Sequence, residues 1–324
     1  MKVMVTGAQG FVGQYVIAEI RRSLGAQVEI IATGRVHCFD EELGTVEKLD
    51  ITEAATVDRL VARLQPTHIV HLAGLSTIVA AAADEDLAWR VHLFGTLHLA
   101  RAVMQYVPNC TILNVGSGQI YGSAGASGKA VDEETLLAPT NVQMASKAAA
   151  DLALGALAAD GLRCIRLRPF NHTGPRQSEK FVLPNLAMQI AKIRAGLQPA
   201  HLQAGNLEAE RDFLDVRDVA AAYVRAVMLS DKIVSGTVLN IASGIPRRIR
   251  NLLETMIEMS GVNVTVGYDQ SRERPTDIRR FVGNASKAQQ LLRWAPQYSI
   301  EETLQDILHH AYRCLERQIP IRLS

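Results

Sequence analysis

A short apolar run, Lys2 to Thr6, leads directly into Thr6-Gly7-Ala8-Gln9-Gly10-Phe11-Val12-Gly13. The glycine spacing is GxxGxxG, and apolar residues with helical periodicity follow it. At such a strand-to-helix turn, glycine lets backbone N–H groups approach a pyrophosphate, whose charge the helix dipole favours. A tight turn alone would also need glycine, but the position within a βαβ unit predicts a dinucleotide site. Its expected contacts are Gly7, Gln9, Gly10, Phe11, Val12 and Gly13.

Strands and helices alternate through the first half of the chain, which predicts a parallel sheet covered on both faces. The predicted strands span residues 2–6, 28–33, 46–49, 68–72, 111–115 and 164–167. After Arg168-Pro169 the alternation gives way to shorter elements separated by prolines. We therefore expect an α/β fold, with a doubly wound Rossmann domain at 1–167 and a smaller α/β substrate-binding lobe at 168–324. The chain is free to cross back between the two.

Composition excludes several classes of function. The 324 residues carry 34 Lys plus Arg against 33 Asp plus Glu, so no strong field steers the protein onto nucleic acid or anionic lipid. The four cysteines are scattered without CxxC spacing, which argues against disulfides and against a metal site. No apolar run approaches the ~20 residues that span a bilayer, and the first residues turn polar too early for a signal peptide. We expect a cytoplasmic protein without membrane or nucleic-acid partners.

The end of the second predicted strand bears on the choice of cofactor. Its sequence, Ala32-Thr33-Gly34-Arg35, contains no acidic side chain. A carboxylate there would accept hydrogen bonds from the ribose hydroxyls of NAD and would repel the 2′-phosphate of NADP. The Arg35 guanidinium is suited to pair with that phosphate, although a solvated loop arginine would look the same in sequence. The segment favours NADP, with NAD as the alternative.

Further motifs occur in a fixed order along the chain: Leu49-Asp50-Ile51, His71-Leu72-Ala73-Gly74, Gly116-Ser117-Gly118-Gln119-Ile120-Tyr121-Gly122, Ser146-Lys147 and Arg211-Asp212-Phe213. With the glycine turn, they make the sequence resemble extended short-chain dehydrogenase/reductases, the NAD-dependent epimerase/dehydratase family, which act on nucleotide sugars. The segment Arg168 to Pro175 and the helix after Phe181 are most similar to GDP-4-keto-6-deoxymannose reductases.

The resemblance implies a role for each matching residue. Ser117 would bind the substrate carbonyl and Lys147 the nicotinamide ribose, although a strand-end serine is commonly a turn residue and a helix lysine commonly solvated. Asp50 would accept from the adenine amine, or cap the helix that follows it. The other implied cofactor contacts are Ile51, Leu72, Ala73 and Gly74, and the implied diphosphate contacts are Asn171, Arg211 and Arg274.

One departure from the family pattern affects catalysis. The family's proton donor is a tyrosine four residues before the lysine, on the same helix face. The residue four before Lys147 is Gln143, whose amide cannot ionise but can donate an N–H to a developing alkoxide. We expect low activity, because loss of general acid catalysis typically costs about 10² to 10⁴ in rate. The sequence leaves the proton source open among water, Ser117, His172 and Tyr121.

A second departure is at His92, within Val91-His92-Leu93-Phe94-Gly95-Thr96. Chains that resemble this one carry asparagine at that position. We interpret His92 as a buried histidine with structural hydrogen bonds.

The predicted helix from Met144 to Ala158 is rich in alanine, so its surface permits close helix packing. Such a helix can pack on its own sheet. In the family that this sequence resembles, the corresponding helices pair between subunits, which implies a homodimer through a four-helix bundle.

The function we expect is NADP-dependent reduction of a GDP-linked 4-keto-6-deoxyhexose. A dehydratase is disfavoured because Gly118-Gln119 stands where family dehydratases carry an Asp-Glu pair. Two alternatives stay open: a nucleotide-sugar 4-epimerase, and a non-catalytic relative that binds NADP and a sugar nucleotide. Gln143 favours the second, whereas retention of Ser117 and Lys147 counts against it.

Overall fold

The computed structural model describes residues 1–269 and 278–318. Its strands are β1 Lys2–Thr6, β2 Glu29–Gly34, β3 Cys38–Asp40, β4 Gly44–Lys48, β5 His68–His71, β6 Thr111–Val115, β7 Cys164–Pro169, β8 Asn171–Thr173, β9 His201–Ala204, β10 Glu210–Asp215, β11 Thr237–Ile241, β12 Pro246–Arg248, β13 Thr265–Tyr268 and β14 Arg280–Phe281. Its α-helices are α1 Phe11–Leu24, α2 Ala54–Leu64, α3 Ile78–Ala83, α4 Glu85–Trp89, α5 Gly95–Tyr106, α6 Val142–Ala159, α7 Val182–Arg194, α8 Val216–Met228, α9 Ile249–Ser260, α10 Ser286–Leu292 and α11 Ile300–Gln318. A five-residue π-helical segment, Arg90–Phe94, joins α4 to α5.

The large sheet has eight strands in the order β11-β7-β6-β5-β1-β2-β4-β3. All of its pairings are parallel except that of β3 with β4. From β1 the chain builds outward to one side and then returns to the other, so the topology reverses between β1 and β5. Ligands of doubly wound sheets bind in the crevice at the carboxyl ends of the strands at such a reversal. The expected Rossmann fold is confirmed.

The six predicted strands are all present, with bounds that differ by at most two residues. Strand β3 was not predicted, because its three residues form no apolar run and Phe39 at its centre is exposed on the sheet edge. After residue 167 the chain leaves the large sheet and later returns to it, since β11 pairs with β7 and α8 packs on α1. The smaller sheets contain β12-β10-β14, with β8 beside β10, and the pair β13-β9.

Successive side chains of the buried strands point to opposite faces of the large sheet, so the apolar core is divided between these two faces. Val3 and Val5 of β1 face α1 and α8, whereas Met4 between them faces α2 and α5. A third apolar cluster joins α7, α9 and α11 in the smaller lobe. Burial on both faces holds the central strands rigidly and fixes the positions of the turns at their carboxyl ends.

None of the helices in the described part of the chain is long and apolar enough to cross a bilayer. Over the same residues, no three His, Cys, Asp or Glu side chains are grouped in a way that could hold a metal ion.

Candidate active site

The glycine turn after β1 brings three backbone segments together. Gly7 has φ +67°, and a Cβ added there would lie 3.0 Å from the backbone nitrogen of Ala73. A Cβ at Gly13 would lie 2.5 Å from the carbonyl oxygen of Ala8 and 2.6 Å from that of Gly7. The amino end of α1, at Gly10, has no side-chain cap. Glycine at these positions allows the close backbone approach that brings the uncapped N-terminus of α1 next to the end of β1, and such a turn fits a dinucleotide pyrophosphate.

A buried chain of hydrogen bonds holds the two central turns against each other. Thr96 donates to the carbonyl of His92 at 2.6 Å and therefore accepts from His71 Nε2 at 3.1 Å. His71 Nδ1 then accepts from the Thr6 hydroxyl at 2.7 Å. The Thr6 oxygen in turn accepts from the backbone N–H groups of Leu72 and Ala73, each at 3.1 Å. His71 thus fixes the turn that faces Gly7, and burial lowers its pKa to about 4, which keeps it neutral.

The predicted adenine end of the cofactor site lies at the carboxyl ends of β2 and β4. Asp50 accepts from the backbone N–H and the hydroxyl of Thr52, at 2.9 and 2.7 Å. These hydrogen bonds lower the pKa of Asp50, and the charge of Arg35 contributes to the same shift. Gln9 lies against Gly34, where it donates to the Cys38 sulfur at 3.4 Å. Arg35 is exposed beside this group, and Ile51 is buried beneath it.

Lys147 lines one cavity at the edge of the large sheet together with the predicted cofactor contacts that follow β5, which are Leu72, Ala73 and Gly74. The lining combines residues of the β5 and β6 ends with residues of the π-helical segment, α5 and α6: His71, Leu72, Ala73, Gly74, His92, Thr96, Asn114, Val115, Gly116, Lys147 and Ala150. Lys147 is mostly buried, and desolvation lowers the pKa of its ammonium to about 8. No ion pair engages Lys147 within residues 1–269 and 278–318. The group is a buried cation in an open cavity, which suits a ligand with hydroxyl or carbonyl oxygens.

The two residues that depart from the family pattern, Gln143 and His92, both form hydrogen bonds with Leu75. The Gln143 side-chain amide donates to the Leu75 carbonyl at 3.1 Å, and the Leu75 N–H donates to His92 Nε2 at 3.0 Å. The other His92 nitrogen, Nδ1, then donates to Ser146 Oγ at 2.8 Å, which itself donates to the Gln143 carbonyl at 3.2 Å. We refer to His92, Gln143 and Ser146 as the Leu75 clamp. The interpretation of His92 as a buried structural histidine agrees with these contacts, and burial lowers its pKa to about 3.

Ser117 lies two residues beyond β6 and begins the 3₁₀ segment that follows. Its Oγ accepts from the Gln119 N–H at 3.1 Å, which leaves its own hydroxyl hydrogen available. Tyr121 is fully buried, where its hydroxyl donates to Asn240 at 2.8 Å and accepts from Arg168 at 2.9 Å. His172 donates through Nδ1 to the Phe170 carbonyl at 2.9 Å. Of these three groups, Ser117 alone retains a free polar hydrogen.

The predicted diphosphate contacts in the smaller lobe lie along β10. Asn171 is opposite Phe213 in the β8–β10 pairing, two residues from Arg211. Arg211 donates to the carbonyls of Glu210 and Ile278, at 2.8 and 2.7 Å. Arg274 lies outside the described residues. Asn171 and Arg211 therefore share one strand pair of the smaller lobe.

The structure adds Arg247, which was not predicted. It is directly opposite Arg211 in the antiparallel β10–β12 pairing, and its Nε is buried without a hydrogen-bond partner among the described residues. Like charges in directly opposed positions destabilise a sheet, so an anion is the natural complement of this pair. The buried Asp212 holds the loop before β12, because its carboxylate accepts from the backbone N–H groups of Ser243 and Gly244. No sequence signal gives the register that brings the two arginines together.

Comparison with known proteins gives the family. A family model described as GDP-mannose 4,6 dehydratase matches residues 4–307. The GDP-6-deoxy-D-mannose reductase of Pseudomonas aeruginosa is 32% identical over 308 residues, which are 95% of this chain and 96% of that protein. The GDP-6-deoxy-D-talose 4-dehydrogenase of Aggregatibacter actinomycetemcomitans is 25% identical over 297 residues, 89% of this chain and 90% of that protein.

Solved structures show the same relationship. RMD from Pseudomonas aeruginosa, complexed with NADPH, aligns with a TM-score of 0.84 and 29% identity, covering 96% of this chain and 99% of that one. The Thermus thermophilus UDP-glucose 4-epimerase in complex with NAD aligns with a TM-score of 0.82 and 26% identity, covering 96% and 99%. The resemblance stated from the motifs is confirmed: this chain belongs to the GDP-mannose 4,6-dehydratase family of extended short-chain dehydrogenase/reductases.

Proposed function

We propose that this protein is an NADP-dependent reductase of a GDP-linked 4-keto-6-deoxyhexose. The observation that carries the proposal is the meeting of the glycine turn, Lys147 and the strand end before Ser117 at one edge of the sheet. The P. aeruginosa relative named GDP-6-deoxy-D-mannose reductase supports the substrate class, since it is similar over 95% of this chain. The cofactor, when bound, supplies a hydride to the substrate ketone.

The cofactor assignment follows from the backbone and side-chain groups at the turns that follow the strands of the large sheet. The backbone at Gly7, Gln9, Gly10, Phe11, Val12 and Gly13 receives the pyrophosphate. The second group of contacts, toward the adenosine and the nicotinamide ribose, consists of Arg35, Asp50, Ile51, Leu72, Ala73, Gly74 and Lys147. Arg35 beside Asp50, with no carboxylate at the end of β2, favours a cofactor with a 2′-phosphate. The NADPH bound to the similar RMD supports the same choice.

We assign the substrate to the smaller lobe, residues 168–324 apart from the return through β11 and α8. Asn171 and Arg211 hold the diphosphate, and Arg247 adds a second guanidinium across the strand pair. Arg274 keeps its assignment from the family motif. Forked donors suit phosphate oxygens better than a point charge does. The sugar then extends toward Ser117, whose free hydroxyl can donate to the ketone oxygen.

We also propose a homodimer formed through α5 and α6. Two apolar side chains are exposed here in the isolated chain: Leu152 on α6 at 59%, and Phe94, the residue directly before α5, at 48%. A second copy that packs α5 and α6 against the same helices would bury both and form a four-helix bundle. Sedimentation of the wild type and of Leu152→Glu tests this, since a charge at that interface should shift the protein toward monomer.

The decisive assay follows the absorbance of NADPH in the presence of GDP-4-keto-6-deoxymannose. We expect slow, stoichiometric oxidation, faster in Gln143→Tyr and lost in Lys147→Ala. Interconversion of nucleotide sugars without net cofactor consumption would favour a 4-epimerase instead. Tight binding of both ligands without turnover in either wild type or Gln143→Tyr would favour the non-catalytic alternative.

A further inference from the structure

We infer that the Lys147 ammonium itself donates the proton to the substrate oxygen, a role that the family pattern gives to the residue at position 143. This inference rests on the proposed reductase function and names its general acid. The argument combines the position of Lys147 in the cavity with the hydrogen-bond commitments of every other polar group around it.

The Leu75 clamp removes the nearest alternatives. Gln143 has an amide that cannot ionise, and that amide is engaged with the Leu75 carbonyl at 3.1 Å. His92 uses one ring nitrogen to accept from Leu75 and the other to donate to Ser146. Its single proton is therefore held in a buried hydrogen bond inside the protein.

The remaining side chains are committed in the same way. The single proton of His71 is donated to Thr96, and that of His172 to the Phe170 carbonyl. The Tyr121 hydroxyl donates to Asn240, and burial raises its pKa. Ser117 has a free O–H, but an alcohol that loses its proton must take another from a stronger acid. Ser117 can orient the ketone, whereas the proton has to originate elsewhere.

Lys147 is the one described side chain at this cavity that holds an uncommitted acidic proton at neutral pH. It lines the cavity together with Gly74 and Gly116, the residue before Ser117. The titratable groups that face it are His71 from β5, His92 from the π-helical segment and His172 from β8, and burial lowers the pKa of each. On its own helix, the carboxylate of Asp151 is paired with Arg166 and Arg168. No carboxylate in the described structure therefore stabilises the ammonium, and desolvation makes it more acidic.

The step balances as a ketone reduction. The carbonyl carbon accepts a hydride from the reduced nicotinamide cofactor, so a C–H bond forms as the C=O π bond breaks. The electron pair moves to oxygen, which takes a proton from Lys147 Nζ. Lys147 is left as a neutral amine, and solvent reprotonates it before the next turnover.

The first test compares wild type with Lys147→Arg over pH 6 to 10, with Lys232→Arg on the surface as the matched control. Arginine keeps a cation at the site but holds its proton too tightly to donate it. We expect kcat of the wild type and of Lys232→Arg to fall about tenfold per pH unit above the pKa of Lys147. We expect kcat of Lys147→Arg to be at least about 100-fold lower than that of the wild type. Its NADPH dissociation constant, measured by calorimetry, should stay close to that of the wild type.

The second test replaces Lys147 by cysteine and alkylates it with 2-bromoethylamine, which restores an amine of similar length but lower pKa. Alkylated wild type controls for modification of Cys38 and Cys314, which are partly exposed. We expect alkylated Lys147→Cys to recover turnover. The decrease of its kcat at high pH should begin at a lower pH than in the wild type. An unmoved limb, or a kcat in Lys147→Arg within threefold of wild type, overturns the inference while leaving the reductase proposal intact. No NADPH oxidation in wild type or Gln143→Tyr overturns both.

Discussion

Gln143 and His92 hold the two ends of one residue, since Gln143 donates to the Leu75 carbonyl at 3.1 Å and His92 accepts from the Leu75 N–H at 3.0 Å. These are the two positions at which the sequence departs from the family pattern. Because the two hydrogen bonds hold the two consecutive peptide groups that flank the Leu75 Cα, the two substitutions act as one structural unit. The loop that they hold follows Gly74, which lines the cavity with Lys147.

We predict that the effects of His92→Ala and Gln143→Ala on the free energy of unfolding are not additive. Each single change removes one hydrogen bond from a partly buried polar group of Leu75, at a cost of about 1 kcal/mol. Once one hydrogen bond is lost, the loop is free to move and the second hydrogen bond stabilises the fold less. The double variant should therefore lose less free energy of unfolding than the two single variants together, by about 0.5 kcal/mol or more. Urea denaturation of the four proteins measures this coupling. Additive costs would mean that the two side chains act independently.

Gln143→Tyr is predicted to raise the rate of ketone reduction by about tenfold or more, because a phenol at position 143 adds the family's general acid to the one that Lys147 supplies. Gln143→Phe is the matched control, since it has a ring of similar size and no hydroxyl. Single-turnover absorbance of NADPH under saturating substrate measures the chemical step. If Gln143→Tyr were no faster than wild type, the site would be specialised for chemistry that does not need the tyrosine.

Gly13→Ala is predicted to abolish dinucleotide binding and to destabilise the fold. The added Cβ would meet two carbonyl oxygens of the glycine turn at 2.5 and 2.6 Å, and neither belongs to a flexible side chain. Gly25→Ala is the control: it meets nothing within 4 Å, so its cost is the strain of φ +65°, about 1 kcal/mol. Calorimetric titration with NADPH should give no heat for the first variant and normal binding for the second. Normal binding by Gly13→Ala would remove the glycine turn from the cofactor site.

Arg35→Gln is predicted to weaken NADPH binding about 10-fold to 100-fold and to leave NADH binding unchanged. A hydrogen bond to a charged group contributes about 1.5–3 kcal/mol, and only NADPH carries the 2′-phosphate that would receive it. Dissociation constants for both cofactors, measured at two salt concentrations, provide the test. Equal weakening of both would indicate that Arg35 contacts a part common to the two cofactors.

The sequence predicts the Rossmann half of the molecule well because its signals are local. Apolar runs define β1 and β6 to the residue, and the glycine spacing defines the turn between β1 and α1. The clamp and the Arg211–Arg247 pairing could not be predicted. His92 and Gln143 meet through the backbone of a third residue, and the two arginines meet through the register of β10 with β12, so both depend on tertiary placement that no motif encodes.

Arg247→Gln is predicted to weaken substrate binding without destabilising the protein. In the absence of an anion, Arg247 is opposite another arginine, and its Nε is buried without a partner in the described part of the chain, so removal of its charge should leave the unfolding free energy unchanged or slightly raised. With substrate bound, loss of one guanidinium–phosphate contact should raise KM about tenfold or more at constant kcat. Arg248→Gln is the matched control, because Arg248 is exposed on the same strand and is paired with Glu208 at 3.6 Å. An unchanged KM in Arg247→Gln, together with lowered stability, would make Arg247 a structural residue and remove it from the diphosphate site.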